Sequence, residues 1–167
     1  MFIPYHDPSV RATGRWAVTE NRSLSATATG SYLEIAFQGP SAVLNFDMSF
    51  AQFPWPHLWI SVDGGPRVEV PLDWHLRIDA GEGNHTVKVI YKSAAECQHR
   101  WHHPLVGRVA FLGYDAEGPA QLSPDPRKTI ELVGDSITEG VLIDTCYHEY
   151  RNYYFDEVFM DDVCATY

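Results

Sequence analysis

Near the C-terminal end of this 167-residue chain stands the stretch TIELVGDSITEG, Thr129 to Gly140. An apolar run, Ile130 to Val133, breaks there into Gly134-Asp135-Ser136, the order that brings a serine to the surface at the end of a buried strand. A serine hydroxyl is a poor nucleophile until it stands on a tight, exposed turn. There a base can take its proton and backbone N–H groups can receive the developing oxyanion. Gly134 permits the close turn and Ser136 supplies the attacking oxygen. Asp135, adjacent to the nucleophile, is better placed to brace the turn than to reach a histidine. The base and the remaining oxyanion donors must come from elsewhere.

Other residues of chemical type carry less. Cys97, His99, His102 and His103 lie close together, but arginine and tryptophan interleave them with no metal-ligand spacing, so a polar loop is expected and no metal. His85 alternates in phase with Val87 and Val89 and reads as a satisfied core or edge histidine. Cys97, Cys146 and Cys164 are odd in number and lack a CxxC pair, which fits three reduced structural cysteines rather than a disulfide framework. No cofactor is expected.

The elements that must position the serine fall into two unequal parts. From Ser31 to Asp115, short segments alternate apolar and polar residues with period two. Examples are Leu33, Ile35, Phe37 in SYLEIAFQ, then Leu44, Phe46, Met48 in AVLNFDM, and Leu58, Ile60, Val62 in HLWISVD. PRVEVPL, HLRIDA, HTVKVIYK and GRVAFLGYD follow, with DGGP and AGEGN supplying the residues that tight antiparallel turns require. At least seven short strands predict an all-β jelly-roll sandwich over residues 1–116. AEGPAQLSPDPRK, with three prolines and few large apolar residues, reads as a linker over 117–128. Residues 129–167 then begin an α/β unit: Ile130 to Val133 is its first parallel strand, covered on both faces, and DDVCATY, Asp161 to Tyr167, the start of a helix.

Twelve basic against 22 acidic residues give a formal charge of −10, which opposes extended contact with nucleic acid or an anionic membrane. No run of about 18 apolar residues spans a bilayer, and MFIPYHDPSVRATGRW lacks the basic-then-apolar order of a signal peptide. A cytoplasmic location is the expectation.

Gly134-Asp135-Ser136-Ile137-Thr138-Glu139-Gly140 resembles the first sequence block of the SGNH, or GDSL-type, serine hydrolases, whose catalytic domain is a flavodoxin-like α/β/α sandwich. VRATGRW, the sandwich pattern and YKSAAE resemble the N-terminal jelly roll of the two-domain carbohydrate esterases of family two, which remove acetyl groups from sugars. The resemblance implies an all-β jelly roll followed by the first strand and loop of a truncated hydrolase domain. It makes Ser136 the nucleophile and its backbone N–H one oxyanion donor. The other donors are a glycine and an asparagine in two later blocks, and the base is a histidine in a late D-x-x-H block. None of these later blocks is present here. The resemblance therefore implies two partners, an acetylated carbohydrate and the rest of the hydrolase domain as a continuation or second fragment, and predicts that residues 1–167 alone are inactive. Trp55, Trp59, Trp74 and Trp101 are candidates for stacking on sugar faces, although aromatics of a β-sandwich mostly serve its core. The alternative is a noncatalytic carbohydrate-binding β-sandwich with a vestigial hydrolase segment.

Overall fold

A computed structural model of the chain describes residues 1–95, 97–100 and 102–125, and beyond them Val133, Gly134, Thr138, Gly140 and Asp162. The seven period-two segments become β5 (Tyr32–Gln38), β6 (Ser41–Phe46), β7 (His57–Val62), β8 (Val68–Pro71), β9 (His75–Asp79), β10 (Asn84–Ser93) and β11 (Val109–Asp115). Their alternation has the expected result: Leu33, Ile35 and Phe37, Leu44 and Phe46, and Leu58 are each 1% exposed or less. The hairpin between β7 and β8 turns on Asp63 and Gly64, both left-handed at φ 51° and 72°, the conformation that matches strand twist in a two-residue turn.

Short strands complete the sandwich where no periodic signal exists. They are β1 (Phe2–Pro4), β2 (Val10–Thr13), β3 (Ala17–Val18), β4 (Leu24–Ala26) and β12 (Gly118–Pro119). The first residues of the segment read as a linker thus extend a sheet, because Gly118 and Pro119 pair with Gln38 and Phe37. Sheet A has the order β3-β4-β11-β6-β9, with β1 also on β11; sheet B has the order β12-β5-β10-β7-β8, with β2 also on β5. Every pairing is antiparallel. Gly113, at φ 145°, lets β1 approach β11, since a Cβ there would strike the Ile3 carbonyl and the Phe2 ring.

The inner faces share one core, which joins Leu33, Ile35, Val87, Val89 and Tyr91 of sheet B to Ile3, Leu44, Ile78, Phe111 and Tyr114 of sheet A. A polar tie crosses it. The Tyr114 hydroxyl donates to the Ala36 carbonyl at 2.8 Å and lies 2.7 Å from Ser9 Oγ. Burial raises the pKa of that phenol, so it stays a neutral donor. This hydrogen bond joins β11 of sheet A to β5 of sheet B within the core, where Tyr114 is fully buried.

Candidate functional site

Of the serine block, Gly134, Thr138 and Gly140 are described, whereas Asp135 and Ser136 lie outside the described residues. Gly134 and Thr138 approach so closely that any Cβ at 134 would overlap the threonine side chain, which accounts for glycine at this position. The strand expected over Ile130 to Val133 is described only at Val133, which is 76% exposed and outside any strand. The neighbouring strands and covering helices that would bury it are not among the described residues.

The C-terminal segment meets the jelly roll at a defined place. Asp162 donates its backbone N–H to the Gly140 carbonyl at 3.1 Å, and its Oδ1 accepts the Trp59 indole N–H at 3.0 Å. The carboxylate expected to cap a helix therefore serves a tertiary contact. Trp59 faces outward on β7, between the core residues Leu58 and Ile60. Its neighbours on that outer face are unusual for the solvent side of a sheet: Ile90 is 8% exposed, His57 5% and Lys92 1%.

A buried charge needs a partner, and Lys92 has one. Its Nζ lies 3.3 Å from Glu69 Oε1 and 5.7 Å from the centre of the Trp59 ring. His57 Nδ1 is 2.6 Å from the same Glu69 oxygen. Burial pushes the Glu69 carboxyl upward, but the hydrogen bond from His57 and the Lys92 charge outweigh it and hold the group below its ordinary range. β7, β8 and β10 thus present an ionised carboxylate in a hydrogen-bonded network beside Trp59, which holds Asp162. Sequence pattern alone marks Trp59 but not Lys92, Glu69 or His57. The available signal was a lysine in the outward phase of a strand otherwise rich in valine and isoleucine.

Two further tryptophans gather at one end of the sandwich. Asn45 pairs with His75, and His57 pairs with both Pro71 and Ser93. The connections 47–56, 72–74 and 94–108 consequently emerge together, carrying Trp55 on the first and Trp74 on the second. Gln98, 4% exposed, donates to the carbonyls of Gln52 and Pro54 and so fixes the first connection against the third. On that fixed loop Phe53 and Trp55 stand edge to face, centroids 6.2 Å apart, and remain 68% and 37% exposed. Trp74 is 48% exposed. An exposed aromatic held by buried hydrogen bonds can present a flat apolar surface at little entropic cost, which suits the C–H face of a sugar ring. Phe53 carries no mark in the sequence, and Trp101 lies outside the described residues.

His85 is satisfied as expected. Nδ1 lies 2.7 Å from Asp63 Oδ2 and Nε2 2.9 Å from the Gly81 carbonyl, two acceptors that the protonated ring satisfies together. The bond to Asp63 raises its pKa. Among the described residues no group of three or more His, Cys, Asp or Glu side chains is arranged to hold a metal ion.

No protein-family model matches the chain, and no curated protein does. Solved structures do share its fold. A family two carbohydrate esterase from Cellvibrio japonicus aligns with a TM-score of 0.70 at 19% identity, over 98% of this chain and 46% of that one. A family two carbohydrate esterase from Clostridium thermocellum in complex with cellohexaose aligns at 0.58 and 24% identity, over 81% of this chain and 40% of its own. An acetyl xylan esterase from the rumen bacterium Butyrivibrio proteoclasticus aligns at 0.62 and 17% identity, over 85% of this chain and 38% of its own. The present chain spans less than half the length of each, and at these identities the likeness is one of fold.

Proposed function

We propose that the chain is the N-terminal part of a serine esterase that removes O-acetyl groups from sugars or oligosaccharides, with Ser136 as nucleophile. The observation that carries this reading is a coincidence: the GDSITEG block sits on a chain of which 98% aligns in fold with a family two carbohydrate esterase. Solved relatives of the fold that hold cellohexaose or act on acetyl xylan support a carbohydrate substrate.

In this mechanism Ser136 Oγ attacks the acetyl carbonyl carbon as its proton passes to the base. The tetrahedral oxyanion rests on the Ser136 backbone N–H and on donors from later blocks. The C–O bond to the sugar then breaks, the sugar hydroxyl leaves with the proton from the base, and acetyl-serine remains. Water, deprotonated by the same base, attacks that ester and releases acetate. The base and the remaining oxyanion donors belong to the rest of the hydrolase unit, whether a continuation or a second fragment. Sheet B supplies the platform, with Trp59, beside the Lys92-Glu69-His57 network, holding Asp162. Phe53, Trp55 and Trp74 supply the aromatic rim for sugar rings.

The test is kinetic. The reading frame is followed past Tyr167, the whole product is expressed, and acetate release from acetylated xylo-oligosaccharides is measured. Ser136→Ala should lower the rate by at least ~10³-fold with the fold retained. A folded Ser136→Ala protein that keeps most of the wild-type rate overturns the assignment. A frame that stops at Tyr167, with a product that binds the oligosaccharides and releases no acetate, establishes the noncatalytic alternative.

A further inference from the structure

The outer face of sheet B is occupied by the Trp59 to Asp162 contact. The outer face of sheet A, on the opposite side of the sandwich, is not occupied by any described residue of the C-terminal segment, and it is hollow. A groove of about 540 Å³ opens over β1, β6, β9 and β11. That volume lies within the range of clefts that take small ligands, roughly 300–1,000 Å³.

Its lining is mainly apolar, with one polar network built across three strands. Asn45 of β6, 8% exposed, donates through Nδ2 to Asp115 Oδ2 on β11 at 2.9 Å. Its Oδ1 accepts the Nδ1 hydrogen of His75 on β9 at 2.7 Å. The amide thus fixes both neighbours at once. The second ring nitrogen of His75 and the second carboxylate oxygen of Asp115 are left for a ligand, so these two side chains offer hydrogen-bonding positions. Arg22 also lines the groove, held left-handed at φ 55° in a turn closed by its own N–H to the Thr19 carbonyl. Its guanidinium has no ion-pair partner among the described residues, so it offers donors. Leu112 and Phe2, the latter 53% exposed, belong to the same lining.

We propose that this groove is a second carbohydrate site, which binds the neutral main chain of a polysaccharide on the face opposite the Trp59 to Asp162 contact. Each part has a matching group on a sugar. Vicinal hydroxyls hydrogen-bond to His75 Nε2 and Asp115 and accept from Arg22, while the C–H face of the ring lies on Phe2. Arg22 and Asp115, of opposite charge, both line the groove, which favours a neutral chain over a phosphorylated or acidic one. A wholly structural role for the Asn45 network would require neither the exposed Phe2 ring nor the unpaired Arg22. Holding the polymer at sheet A raises the concentration of its acetyl groups near Ser136, because the second encounter becomes intramolecular. This benefit rests on the esterase reading, whereas binding in the groove does not.

The test is calorimetric titration of the 167-residue chain with cellohexaose, xylohexaose and mannohexaose, with oligogalacturonate as the acidic comparison. Saturable binding of at least one neutral chain is expected. Arg22→Gly, which suits the left-handed turn, and His75→Ala should each weaken it at least ~10-fold. Arg77→Ala, on the same face but paired with Asp79 outside the groove, should leave it unchanged. A wild-type chain that binds none of the neutral probes, equal affinity in Arg22→Gly and wild type, or a preference for oligogalacturonate would each overturn the proposal. Acetate release by the whole reading-frame product is followed in parallel. Lost hydrolysis with retained binding breaks the esterase reading alone, and the converse breaks the groove alone.

Discussion

Replacing Glu69 with glutamine keeps its shape but removes the charge that faces Lys92. The lysine side chain is 1% exposed and its Nζ lies 3.3 Å from the lost carboxylate, so its own charge stays desolvated with less compensation. Breaking a buried pair from one side costs about 3–5 kcal/mol. Glu69 is 25% exposed and Lys92 also faces the Trp59 ring, so the expected cost lies below that range, about 2–3 kcal/mol. For a chain of this size that lowers the thermal midpoint by roughly 4–12 °C. Lys92→Met should behave differently, because it removes the desolvated charge while Glu69 keeps its hydrogen bond to His57. Its cost should stay within about 1 kcal/mol of zero, and Glu69→Gln added to the Lys92→Met variant should be nearly silent. Thermal and urea denaturation of the two single variants and the double variant supplies the comparison. If Glu69→Gln costs no more than Lys92→Met, the burial argument for this face is wrong. The sign with pH is also set. Glu69 titrates below its ordinary 4.5, so its contribution is present above that value and is lost as pH falls through the lower folded value. Glu69→Gln should therefore flatten the acid limb of stability.

Trp59→Phe keeps the ring but removes the N–H that holds Asp162, so limited proteolysis should cut the C-terminal segment faster while the sandwich stays intact; an unchanged cleavage rate would refute the contact. Tyr114→Phe removes the hydroxyl that ties the sheets while the Ala36 carbonyl keeps the Ala120 N–H, so the cost should be about 0.5–1.5 kcal/mol read from urea denaturation, and a neutral result would contradict the tie. The raised pKa of His85 means that its bonds to Asp63 and Gly81 stabilise the turns most below its ordinary 6.5 and less as pH rises through the folded value. Amide exchange at Gly81 to Gly83 should accelerate over that interval and lose its pH-dependent step in His85→Gln, whereas an unaltered step would exclude the histidine.

The sandwich between Ser31 and Asp115 was legible because its strands are long enough for period two to show, and because one face of each is dry. Val10–Thr13 and Leu24–Ala26 were not legible. Three or four residues carry no measurable period, and they become strands only because β5 and β11 already offer edges to pair with. Trp59 was legible as a candidate, but its contact with Asp162 was not, since Asp162 lies 103 positions away and only the fold brings the two together. Lys92 is the instructive residue. Its outward phase predicts a solvated side chain, yet it is buried beside Glu69 and the Trp59 ring, which belong to neighbouring strands and are absent from β10 itself.

The most direct measurement labels the nucleophile. The whole reading-frame product is treated with a fluorophosphonate, digested, and its peptides mapped by mass spectrometry. The account predicts one modified residue, Ser136, with labelling suppressed by an excess of acetylated xylo-oligosaccharide. Labelling at another serine, or an active esterase whose Ser136 stays unmodified, would contradict it.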